Sequence, residues 1–373
     1  MFVSAFLLLG GGIYAYGRYR YSQVPKASVP ALKSAPVSGP FNVLVIGSDS
    51  RQGLTGAAAR AYGSGAQVGG SRADTMLLAR IDPRTERIAL LSIPYDYFAP
   101  IAGSGGSNKI SDALNQGPGA MVRTVEEDLH VSVQHYVEIN FSGVVRMVDA
   151  LGGVRIDFPY PSKDLMSGLQ VPTAGCHLLG GTQALALVRS RFFQYEVGGT
   201  WHYDPTAGFG RIHRQQAFLR AAAQRVRGSL LTDPLRLNTF LGAAVHNVLV
   251  DKGLSFSTLV HLGLDFRSMP LSSIRTFTVP TQIVNNYGPY GDVLFPVPGK
   301  DAQVLSSWRA AVEAQASSAT GTGARRTSPS TSARTPNRSG SSSEIRMPST
   351  AVPSNPGSIV QNRTTPNFDP RPC

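Results

Sequence analysis

The chain has little cysteine, few acidic groups and no uninterrupted apolar run of membrane-spanning length. Its two cysteines, Cys176 and Cys373, form no CxxC pair and join no Cys/His cluster, which argues against structural zinc. A disulfide between them would have to recruit the very end of a tail without apolar periodicity. Two unpaired thiols, or a modified Cys373, are therefore expected. Three catalytic signatures are also missing. The nearest approach to a GxSxG nucleophile elbow, around Ser71, lacks the closing glycine. No GxxxxGK[ST] loop occurs, because Gly299-Lys300 is followed by Asp301. The Gly103-Ser104-Gly105-Gly106 run is not a GxGxxG between a strand and a helix. Serine-hydrolase, P-loop and dinucleotide chemistries are set aside accordingly.

The scarcity of acids gives 23 Asp and Glu against 35 Lys and Arg, a formal charge of +12. Such a balance first suggests nucleic acid, so its distribution decides. The segment 317–373 carries seven arginines against Glu344 and Asp369, and residues 1–40 carry Arg18, Arg20, Lys26 and Lys33 with no acid. These contribute +5 and +4, which leaves only +3 for the region between. Where it folds, the protein is close to neutral, and no nucleic acid partner is expected.

Ser317–Cys373 is rich in Ser, Thr, Pro and Arg, cannot bury enough apolar surface to offset ordering entropy, and reads as a disordered tail. Phe2–Tyr16 is uncharged and is followed by Arg18 and Arg20. These 15 residues fall short of the roughly 20 that a spanning helix needs, unless the Tyr19–Tyr21 flank sits in the interface. The basic leader and small-residue cleavage site of a signal peptide are not evident. Residues 1–21 therefore read as a single-pass membrane anchor whose true start lies upstream, with the domain outside the cell. Residues 22–40, with four prolines, read as a stiff stalk lifting the domain off the bilayer.

Between 41 and 316, branched apolar runs alternate with helical periodicity. Phe41–Ile46, Thr75–Ile81, Arg87–Ile93, His135–Asn140, Val154–Phe158 and Ile274–Val279 read as strands. Pro118–Leu129, Phe141–Leu151, Gly180–Val188, Arg211–Val226, 233–249, 255–265 and Asp301–Ala316 read as helices. This alternation predicts an α/β fold, a three-layer α/β/α sandwich with a mixed central sheet. The Gly/Ala/Ser-rich stretch through Gly70 reads as a mobile loop.

Four segments set charged residues at the edges of apolar elements. Gly47-Ser48-Asp49-Ser50-Arg51 follows the first strand, and Ser71-Arg72-Ala73-Asp74-Thr75 opens the second. Two carboxylates at adjacent strand ends can share a hard cation such as Mg²⁺, though an Asp taken alone is more often a strand-end cap or turn residue. Leu187-Val188-Arg189-Ser190-Arg191 follows a helix, and in an extended segment its two arginines point the same way. Gly210-Arg211-Ile212-His213-Arg214-Gln215 opens a long helix with Arg211 and Gln215 one turn apart, at the end that attracts anions.

Together these segments resemble the LytR–CpsA–Psr family of bacterial cell-wall proteins. The matching order is FNVLVIGSDSR, SRADTMLLARIDP, LLSIPYDYF, NKI, HYVEINFSGVVRMVDALGGV, AGCHLLGGTQALALVRSR and GRIHRQQAFL, a motif core over 41–228. The resemblance implies a membrane-anchored phosphotransferase moving a glycopolymer phosphate from a polyprenyl-pyrophosphate carrier to peptidoglycan. It implies that Asp49 and Asp74 bind or position Mg²⁺ (or Mn²⁺). Arg51, Arg72, Arg189, Arg191 and Arg211 would hold the pyrophosphate with support from Gln215. Asp49, Asp74 and Arg72 would carry the chemistry, one Asp taking the proton of the acceptor hydroxyl. The lipid would enter an apolar tunnel lined by Phe218, Leu219, Val122 and Val125. One position departs from the family's usual S-[IVL]-P-R-D: the chain reads Ser92-Ile93-Pro94-Tyr95-Asp96. Tyr95 has no charge and cannot make a bidentate phosphate contact, so Tyr95 and Asp96 are placed just behind the phosphate contacts. That departure keeps open a second reading, a non-catalytic lipid-pyrophosphate binder that scaffolds or regulates envelope assembly. Wall tethering by the basic tail is an auxiliary role.

Overall fold

The computed structural model describes residues 2–35, 39–50, 71–206, 208–230, 233–313 and 368–373. The segment 51–70, read above as a mobile loop, and most of the tail, 314–367, lie outside the described residues.

A seven-stranded sheet runs in the order Lys26–Ala27, Val248–Asp251, His135–Asn140, Phe41–Ser48, Ala73–Asp82, Arg87–Ile93, Arg275–Thr278. The two outermost pairs and the pair of Phe41–Ser48 with His135–Asn140 are parallel, and the others antiparallel, so the sheet is mixed as expected. Side chains alternate between its faces. Leu44, Leu78 and Leu91 are cross-strand neighbours on one face, where helices Pro118–Leu129 and Lys300–Glu313 cover them. Met121, Val122, Val125 and Leu129 recur at helical spacing and are buried there, each contributing about 1.5–3 kcal/mol by leaving water. Trp308 packs beside strand Arg87–Ile93 and donates its indole N–H to the carbonyl of Ala89 at 3.0 Å.

Val43, Ala79 and Leu90 form the opposite face, against Leu262 of helix Phe256–Asp265. Helix Gly208–Arg225 crosses the same face, with Gln216 hydrogen-bonded to Ser92 at 3.1 Å and Arg220 to Thr276 at 3.0 Å. Helices therefore flank the sheet on both sides, giving the three layers. A second core (Val148, Ile156, Phe158, Leu169, Leu187, Phe193) joins the Val154–Phe158 and Gly175–Leu179 strands to this helix layer.

Several expectations need correction. Residues 22–35 are not a free stalk: Val24 and Val29 are buried in two core clusters, and Lys26–Ala27 adds an edge strand to the sheet. The apolar N-terminal stretch lies in helix Phe2–Ser22, whose Tyr14 and Tyr21 rings pack on Phe256 while Tyr16 donates to Asn238 at 2.6 Å. Among the described residues no helix is long and apolar enough to cross a membrane. Helix Pro234–Asn247 stops two residues before the predicted end, because Val248–Asp251 turns back as a strand. The chain's last six residues are also fastened. Arg371–Pro372 pairs with Asp157–Ile156, Phe368 stacks on Tyr195 at 4.4 Å, and Cys373 is bonded to Cys176. The cysteines thus form a disulfide instead of two free thiols.

Candidate functional site

Strand geometry aims the two carboxylates. The ladder between Phe41–Ser48 and Ala73–Asp82 pairs Gly47 with Thr75 but Ser48 with Ala73, so Asp74 is the extra residue of a bulge. A bulge breaks the regular alternation and re-aims its side chain, and Asp74 faces a cleft of about 430 Å³ at the strand ends. Asp49 is held at the same end: its amide donates to the Arg72 carbonyl at 2.9 Å, and its carboxylate accepts from the Arg72 amide at 2.6 Å. Arg72 itself reaches back to Asp49 at 3.9 Å and stays largely exposed.

Opposite them stands the end of helix Gly181–Arg189. Gly181 packs so closely on Val145 of helix Phe141–Ala150 that a Cβ there would overlap the Val145 carbonyl. At the far end Ser190 leaves the helix in an extended conformation and is buried between Arg189, the last helical residue, and Arg191. Its hydroxyl donates to Asp164 at 2.7 Å, and the Phe192 amide donates to the same carboxylate at 2.8 Å. The Ser190 carbonyl accepts from Arg214 at 3.1 Å. Arg189 and Arg191 flank this fixed point, and both approach Asp74, at 3.9 and 3.3 Å.

Arg214 is itself fully buried, a situation tolerable only with paired charge. It binds Asp204 at 2.7 Å and Asp369 at 3.2 Å, and Asp369 also meets His213 at 3.1 Å. Gly210 leaves room for the Asp204 carboxylate, which any Cβ would overlap. The anchored C-terminal residues thus brace the start of helix Gly208–Arg225, and His213 serves that brace.

Arg211 differs from its neighbours. It is 4% exposed, and among the described residues no carboxylate lies within ion-pair distance of it. Its guanidinium lies 4.1 Å from the Tyr95 ring centroid, and that of Arg191 lies 4.3 Å from the same ring. Tyr95, uncharged, is therefore a shared aromatic support for two arginines. Burial, with the hydroxyl's contact to Asp96, pushes the Tyr95 hydroxyl up, and Arg191 and Arg211 pull it the other way. Burial and then Arg191 disfavour the charge on Arg211, partly offset by Tyr95, Asp74 and Asp96. Buried Arg211 beside the more exposed Arg191, with Asp74 the carboxylate that Arg191 meets, forms a ready site for an incoming polyanion.

Asp49, Arg72, Asp74, Tyr95, Arg189 and Arg191 line one cleft, with Arg211 beside it. Arg51 lies outside the described residues. Gln215 does not face the cleft as a free donor: its amide donates to the Val188 carbonyl at 3.1 Å and so holds the preceding helix. Val122 and Val125 cannot line a tunnel with Phe218, because they are sealed in the core on the other face of the sheet. Phe218 packs on the second core and Leu219 is half-buried on the same helix. The apolar space that adjoins the cleft is a crevice of about 30 Å³ between Ile139, Phe141, Val144, Leu185 and Val188, sharing Asp74 and Arg189 with the cleft. Ala73, Lys109, Ser111, Asp112, Met166, Ser167 and Phe192 complete the cleft lining. Apart from Ala73, only the NKI segment signalled any of these; Asp164 sits in an ordinary turn sequence and carried no signal.

Among the described residues no group of three or more His, Cys, Asp or Glu could hold a metal ion by itself. Asp49 and Asp74 nevertheless suit a Mg²⁺ that arrives with phosphates, since this ion is usually held by one or two carboxylates plus substrate oxygens and waters.

The model of the LytR_cpsA_psr family matches residues 16–306. The chain is 32% identical over 284 residues to a probable cell wall biosynthesis protein, LcpB, of Corynebacterium glutamicum, covering 76% of this chain and 64% of that one. It is 30% identical over 234 residues to a polyisoprenyl-teichoic acid–peptidoglycan teichoic acid transferase, TagU, of Enterococcus faecalis, covering 61% and 66%. The chain thus spans just under two thirds of the length of these relatives. A solved LytR-Csp2A-Psr enzyme from Actinomyces oris shares the fold, with a TM-score of 0.60 at 22% identity over 76% of this chain and 95% of that one.

Proposed function

The chain belongs to the LytR–CpsA–Psr family, and from that premise we propose that it transfers a glycopolymer phosphate from a polyprenyl-pyrophosphate carrier to peptidoglycan. The single observation carrying this reading is Arg211, buried and without a carboxylate partner among the described residues, beside Arg189 and Arg191 at one cleft. The printed names of the relatives, cell wall biosynthesis and teichoic acid transfer to peptidoglycan, support the same class of reaction.

In this mechanism an acceptor hydroxyl attacks the glycopolymer-side phosphorus, and the bond from that phosphorus to the bridging oxygen breaks. Polyprenyl monophosphate leaves. Arg189, Arg191 and Arg211 neutralise the non-bridging and leaving oxygens, which is the main catalytic requirement of phosphoryl transfer. Asp49 or Asp74 takes the hydroxyl proton. A Mg²⁺ held by these carboxylates would add charge neutralisation when bound. The lipid would leave the cleft through the crevice at Phe141 and Leu185. That crevice has room for about one water, so lipid binding must part helices Phe141–Ala150 and Gly181–Arg189. The uncharged Phe2–Tyr16 run would serve as the membrane attachment, and the proposed acceptor, peptidoglycan, calls for the domain on the extracytoplasmic side.

A scaffold that binds the lipid without turnover is favoured by one feature, Tyr95 where relatives usually carry arginine. The test is calorimetric titration of the purified chain with a short-chain polyprenyl pyrophosphate. Saturable binding is expected, with Arg211→Ala weakening it about tenfold to a hundredfold, as for a lost charge-assisted contact. Unchanged affinity in that variant would remove the basis of the assignment.

A further inference from the structure

One wall of the cleft belongs to a small antiparallel sheet that continues away from it. Its strands lie in the order Leu169–Val171, Ser162–Asp164, Gln194–Val197, Thr200–Tyr203. The turn between the first two supplies Met166 and Ser167 to the cleft, and Phe192, two residues before Gln194, supplies its rim.

The register sorts the side chains. Ser162, Tyr195 and His202 are cross-strand partners on the inner face, where Tyr195 packs on the second core and stacks on His202 and Phe368. Alternation then places Gln170, Lys163, Gln194 and Tyr203 in one row on the outer face, with Glu196 and Trp201 in the next. Tyr203 is 64% exposed and Trp201 37%. Lys163 sits 3.7 Å from the centre of the Trp201 ring, which holds the indole in place. Tyr203 is directly opposite Gln194, two residues beyond Phe192 of the rim.

This face has a definite chemistry. Tyr203 offers an electron-rich ring to polarised C–H groups, and Trp201, with Lys163 over one face, has its other face for the same contact. Two amides, a carboxylate and an ammonium offer donors and acceptors around them. The charges of Lys163 and Glu196 cancel, unlike the cationic cleft next door. An acidic bilayer would call for net basic charge. A neutral pyranose chain matches the rings through its C–H faces and the rim groups through its hydroxyl and acetamido groups.

We propose that this outer face is the docking surface for the acceptor, an uncharged N-acetylhexosamine strand that lies across Trp201 and Tyr203 and delivers its hydroxyl past Phe192 into the cleft. The proposal rests on the reading of the cleft as the pyrophosphate site. Its test uses the full chain, with an N-acetylglucosamine oligosaccharide as the probe, read by calorimetry. Wild type should bind saturably. Trp201→Ala and Tyr203→Ala should each weaken binding about tenfold, the effect of losing an aromatic anchor, while Trp201→Phe retains most of it. Binding of a short-chain polyprenyl pyrophosphate should be the same in all four proteins. No saturable binding by wild type, or alanine variants that bind the oligosaccharide as well as wild type, overturns the proposal. So do variants that lose only phosphatidylglycerol vesicles, which would make the face a membrane contact. Oligosaccharide binding that depends on both aromatics, in a protein that does not bind the pyrophosphate, supports the docking face and overturns the cleft reading alone.

Discussion

Tyr95 carries no charge, yet both Arg191 and Arg211 rest against its ring, so its contribution is to hold two like charges close together. Partly desolvated cation–π contacts are worth about 0.5–2 kcal/mol each. Tyr95→Ala is therefore expected to weaken binding of a short-chain polyprenyl pyrophosphate about tenfold, with Tyr95→Phe close to wild type, as measured by calorimetry. A Tyr95→Ala protein of wild-type affinity would show that the ring is a bystander. At this scale the sequence was informative wherever a charge ended an apolar run: Asp49, Asp74, Arg189 and Arg191 converge on the cleft, and Arg211 beside it. It misled at Gln215, because helical phase places that residue on Arg211's side of the helix but does not reveal that the Val188 carbonyl claims its amide. Arg214 also escaped notice, since nothing in its neighbours shows that Asp204 and Asp369 would bury it.

At the scale of elements, the long strands and helices were legible because their apolar periodicity is sustained. The short ones were not. Ser162–Asp164, Gln194–Val197 and Thr200–Tyr203 hold three or four residues each, too few for a period to register, and Thr200–Tyr203 is exposed throughout. The edge strands Lys26–Ala27 and Val248–Asp251 depend on a contact between distant segments. Asp251 ties them in, since it meets His135 at 3.1 Å and accepts from the Tyr136 amide at 3.0 Å and the Gly253 amide at 2.7 Å. Burial alone would push its carboxyl up, but these hydrogen bonds and the neighbouring His135 bring it below the ordinary carboxylate value. A carboxyl depressed in the folded state lends stability above its unfolded pKa of about 4 and loses it as pH falls through the lower folded value. Thermal melts should therefore show a loss of stability on acidification below about pH 4 that is smaller in Asp251→Asn. Identical acid profiles for both proteins would remove Asp251 from the account.

For the molecule as a whole, the last six residues close the chain onto its own functional layer. The disulfide joins positions 197 residues apart, and Asp369 lies only four residues before Cys373. Cys373→Ser is expected to lower stability by about 2–4 kcal/mol in denaturant titrations. It should also loosen the Arg214 brace behind Arg189 and Arg191. An unchanged midpoint would mean that the strand pairing and Asp369 hold the terminus without the bond. Composition could not foresee that the end of the Ser/Pro/Arg-rich segment returns to pair with Val154–Phe158.

The central claim is that the arginines and carboxylates of one cleft split a lipid-linked pyrophosphate. Its most direct measurement is the release of polyprenyl monophosphate when the full chain is given a short-chain polyprenyl-pyrophosphate-linked glycan, Mg²⁺ and a peptidoglycan acceptor. The account predicts acceptor-dependent release by wild type, lost in both Arg189→Ala and Asp74→Ala. Tight binding with no release under these conditions, or release at the wild-type rate by both variants, would contradict it.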